Sequence, residues 1–67
     1  MHTRTELAEI VLTEYQRLKR EPLECLETSI TDLMTDLLHL AHREGLDGLV
    51  LSKMAQMHFE AEVRRVE

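Results

Sequence analysis

The chain has 67 residues, a formal charge of −5 and one cysteine, Cys25. A single domain of that length buries only about 60% of the surface its unfolded form exposes, and an internal disulfide is excluded. Neither a signal-peptide core behind Met1-His2-Thr3-Arg4 nor an apolar run near the roughly 20 residues that span a bilayer is present, so the expectation is a cytoplasmic protein without a membrane partner, short of core unless another molecule supplies some.

Twelve leucines and four methionines carry the apolar volume, with Tyr15 and Phe59 the only aromatics. Such residues favour helix, because their unbranched or γ-branched side chains keep most of their rotamers there. Charge is distributed unevenly: residues 1–20 sum to +1, residues 21–47 to −6 and residues 48–67 to zero. The acidic middle opposes a phosphate-binding surface and suits a solvated face or a basic partner.

The first helix is predicted from about residue 3 to 20. Thr3 and Glu6 have capping-box spacing, and Leu7, Val11, Tyr15 and Leu18 follow at helical intervals. Lys19 and Arg20 suit the negative end of the helix dipole, and Pro22 stops the helix. The second is predicted over residues 22–44, opening at Pro22 or as late as Ser29, since Thr28, Ser29 and Thr31 are cap formers. Leu26, Ile30, Leu33, Leu37 and Leu40 recur every three or four residues, like the buried seam of a bundle. Gly45 ends this helix as a left-handed cap with Leu46 folded back on the last turn.

Asp47 is the expected cap of the third helix, predicted over residues 47–65. Leu46, Val50, Met54, Met57 and Ala61 form one stripe, while Phe59, Val63 and Val66 fall on a different sector. Two apolar faces on one helix need two covers. The fold class expected is therefore all-α: one domain of three helices, the second and third an antiparallel hairpin, associating as a homodimer. The interface candidates are Met57, Phe59, Val63 and Val66 on the third helix and Leu33 and Leu37 on the second.

Few constellations carry chemistry. Asp32, Asp36, His39 and Arg43 share one face of the second helix, extended by Ser29. Asp32, Asp36 and His39 are candidate metal ligands only if another helix adds oxygens, and the bland expectation is a water-facing polar side. His39 and His42 lack the further Cys or His of a zinc site. His58 sits beside the second sector of the third helix. Cys25, between Glu24 and Glu27, is expected to have a raised thiol pKa and to be partly buried packing. No catalytic triad, phosphate loop or cofactor motif is present, and no cofactor is expected. Ala41, Gly45, Leu51, Ser52 and Lys53 match a helix-turn-helix skeleton. Lys53, Gln56, Arg64 and Arg65 are interleaved with Glu60, Glu62 and Glu67. Nucleic acid is thus a lesser alternative.

Two resemblances rest on these residues. The stretches Ile30–Leu40, Glu44–Asp47 and Met57–Glu62 resemble a group of short uncharacterised bacterial proteins found near plasmid and other mobile-element genes, which implies no activity. Asp32, the run Leu37–Ala41, Gly45-Leu46-Asp47 and Lys53-Met54 are similar to the C-terminal half of MazG-type nucleotide pyrophosphatases. That resemblance implies an oligomeric, Mg²⁺-dependent enzyme with acidic ligands on neighbouring helices. Asp32 stands at the family's aspartate, but Ser29 and Met57 stand where that family has a glutamate and an asparagine. The earlier glutamate motif is represented only by the spacing of Glu6 and Glu9. The expectation is a non-catalytic protein acting through protein partners, an adaptor or regulator, with the pyrophosphatase and the DNA binder as alternatives.

Overall fold

The computed structural model describes residues 1–20 and 24–66, the last without its side chain, and within them the chain forms three α-helices and no strand. They are α1 (Arg4–Lys19), α2 (Leu26–Arg43) and α3 (Gly48–Val66). The expectation that Pro22 opens the second helix lies outside the described residues; α2 proper begins at Leu26, four residues later than its widest predicted start.

Local sequence accounts for the helix ends. At α1 the Thr3 hydroxyl accepts from the Glu6 amide at 3.1 Å, and the Glu6 carboxylate accepts from the Thr3 amide at 3.1 Å, a closed capping box. Arg20 terminates the helix in the left-handed region at φ 55. Cys25 supplies the first carbonyl of α2, accepting from the Ser29 amide at 3.0 Å. The far end of α2 closes as a Schellman motif: the Leu46 amide donates to Ala41 O at 2.8 Å, the Gly45 amide to His42 O at 3.1 Å, and Gly45 has φ 73. Asp47 Oδ1 caps α3, accepting from the Leu49 and Val50 amides at 3.0 and 3.2 Å.

The chain divides into two compact units, residues 1–37 and 38–67. In the first, α1 packs on the N-terminal half of α2. Tyr15 reaches Asp36, while Lys19, one turn later, reaches Asp32, one turn earlier, so the two segments run antiparallel. In the second, Ala41 is buried at the end of α2, and Leu38 lies against Gly48 at the start of α3.

Burial departs from the expected seams. Leu12 and Ala41 are the buried apolar residues among those described, and Ser29, 4% exposed, is more buried than either. On α1 the facing side is Ala8, Leu12, Tyr15, Gln16 and Lys19 rather than the predicted Leu7, Val11 and Leu18, all of which are exposed. On α2 only Leu33 of the predicted seam is half-buried; Leu26, Ile30, Leu37 and Leu40 remain 43–65% exposed. The reason is that α2 turns its polar side toward α1.

Candidate functional site

The first unit holds two adjoining features, a polar seam and an apolar groove. Three side chains of α1 point into the seam and three of α2 answer them. Tyr15 Oη donates to Asp36 Oδ2 at 2.5 Å, Gln16 Nε2 to Ser29 Oγ at 2.8 Å, and Lys19 Nζ to Asp32 Oδ2 at 3.1 Å. Lys19 Nζ also stands 5.1 Å from the centroid of the Tyr15 ring, a cation–π distance. Ser29, Asp32 and Asp36 lie at i, i+3 and i+7 of α2, so helical geometry places all three on one side.

The seam shifts its own titrations. The Lys19 ammonium hydrogen-bonded to Asp32 holds that carboxyl below the ordinary aspartate range. The Tyr15 phenol is pushed above its ordinary value, first by donating to Asp36, then by burial and by the Asp36 charge. The face predicted to be water-facing is therefore the one α2 presents to α1, at least as far as Asp36.

Beside the seam, Ala8 and Leu12 of α1 and Ile30, Leu33, Met34 and Leu37 of α2 line a groove of about 330 Å³. Thr5 and Glu9 stand on its α1 side and Leu26 at the N-terminal end of α2; Glu9 is the one charged residue among its lining. Leu33 and Leu37, two of the interface candidates, fall in this groove. Met57, Phe59 and Val63 fall on α3, where all three are exposed, and the Val66 side chain lies outside the described residues.

The carboxylates with metal-site spacing are committed elsewhere. Asp32 is bound to Lys19, Asp36 to Tyr15, and Glu6 to the Thr3 amide with His2 Nδ1 at 3.8 Å. His39 belongs to the second unit. Among the described residues no group of three or more His, Cys, Asp or Glu side chains is arranged to hold a metal ion. Lys53, Gln56, Arg64 and Arg65 are exposed along α3, interleaved with acids as in the sequence.

The chain matches no known protein family, no curated protein and no solved structure.

Cys25 corrects its expectation. The thiol is exposed, and its Sγ lies 3.0 Å from Thr28 Oγ1. That hydrogen bond, together with backbone amides at the start of α2, lowers the thiol pKa below its ordinary value. The flanking Glu24 and Glu27 do not reverse it. Sequence reasoning weighed neighbouring charge and missed the geometry of the first helical turn, where a hydroxyl three residues on meets the cap side chain. It also missed Gln16 and Lys19, whose partners could be found only by noting that α2 has a polar stripe as regular as its leucine stripe.

Proposed function

We propose that this chain works through protein–protein contact, as a small helical adaptor or regulator that self-associates, most simply as a twofold homodimer in the cytoplasm. In the same reading α2 and α3 form an antiparallel hairpin about the Gly45 turn. One observation supports it above the rest: a chain with twelve leucines buries, among its described residues, one of them. Monomeric proteins scatter single apolar side chains over their surface but seldom leave long stripes uncovered. Here α2 exposes Leu26, Ile30, Met34, Leu37 and Leu40, and α3 exposes Val50, Met54, Met57, Phe59 and Val63. No helix is long and apolar enough to cross a membrane among the residues described.

Sedimentation equilibrium across the micromolar range tests the reading. A concentration-dependent mass approaching twice that of the chain is expected. A folded monomer at every concentration refutes it.

A further inference from the structure

We draw no further inference here: the strongest candidate, the apolar groove of the first unit lined by Leu12, Ile30, Leu33, Met34 and Leu37, carries none because nothing in the structure shows what covers it.

Discussion

The hydrogen bond between Gln16 and Ser29 can be weighed against its surroundings, because its two partners differ in burial. Ser29 is 4% exposed, whereas Gln16 is half-buried at the edge of the seam. An intramolecular hydrogen bond contributes about 1 kcal/mol net, but a buried group stripped of its partner is penalised by roughly 1–3 kcal/mol. Ser29→Ala releases the Gln16 amide toward water and removes a hydroxyl that then needs nothing, so it should cost about 0.5–1 kcal/mol. Gln16→Ala strands the Ser29 oxygen in a dry place.

The helix offers Ser29 one retreat. Thr31 and Thr35 donate their hydroxyls to the carbonyls of Glu27 and Thr31, four residues earlier, at 2.9 Å, and Ser29 can do the same to Cys25. That donation settles the proton but leaves the oxygen's accepting site empty, so Gln16→Ala should cost about 1–2 kcal/mol, toward the lower half of the range. The double variant should cost less than the sum, with a coupling near 1 kcal/mol. Urea unfolding at one fixed chain concentration measures it, since an associating protein gains stability with concentration. With a slope of about 1 kcal/mol per molar urea, the expected midpoint shifts approach 1 M. Equal single effects with a coupling below about 0.3 kcal/mol would show that the seam is a surface decoration and refute the reasoning.

Stability should fall at both ends of the pH scale through the seam. The depressed Asp32 carboxyl contributes fully above the unfolded value near pH 4 and loses that contribution as pH falls through the folded value. The raised Tyr15 phenol contributes fully below about pH 10 and loses it as pH rises through the folded value. Lys19→Met should flatten the acid limb of a urea-midpoint profile and Tyr15→Phe the alkaline limb; unchanged limbs would count against the seam. Because Tyr15 is the only tyrosine, tyrosinate absorbance reads its titration directly. Two glycine substitutions should part company. Gly45→Ala forces a side chain onto φ 73 and should cost about 1 kcal/mol. Gly48→Ala meets only the flexible tip of exposed Leu38, whose Cδ2 would lie 2.8 Å from the new Cβ and can rotate away; it should be nearly neutral in the same unfolding assay. Finally, Cys25 should react with a thiol probe near neutral pH faster than a free cysteine, and Thr28→Val should slow it; equal rates would discard the role given to Thr28.

Helix positions were legible in the sequence because the signals that set them are local. Thr3 with Glu6, Gly45 with Leu46, and Asp47 each act within one turn, and each stands where its spacing predicted. Orientation was not legible in that way. Two neighbouring stripes run along α2, one of leucines and one of Ser29, Asp32 and Asp36, and periodicity alone says which residues share a face but not which of the two meets α1. Deciding it required knowing that Tyr15, Gln16 and Lys19 on α1 match the polar stripe in number and spacing. The start of α2 was ambiguous for a related reason: Thr28 and Ser29 are good caps, but Cys25, a poor one by type, takes the position because its carbonyl is the one the Ser29 amide reaches.

A polar contact between α1 and α2 has a physical use that an apolar one lacks. Leucine ridges can slide past one another by a turn with little loss, since each step meets another leucine. The seam cannot. Asp32 and Asp36 are one turn apart, as are Tyr15 and Lys19, and in antiparallel order they match at both rungs in a single register. A one-turn slip leaves only one rung made and an aspartate without its donor. Specificity of this kind is the best-attested use of semi-buried polar pairs, and it is obtained at some expense of apolar burial. In this chain the expense shows beside the seam, where Leu33 is half-buried but Leu26, Ile30, Met34 and Leu37 stay exposed. The polar seam and the groove beside it are therefore linked: the contact that fixes how α1 lies on α2 is also what keeps Met34 and Leu37 of the groove's lining exposed.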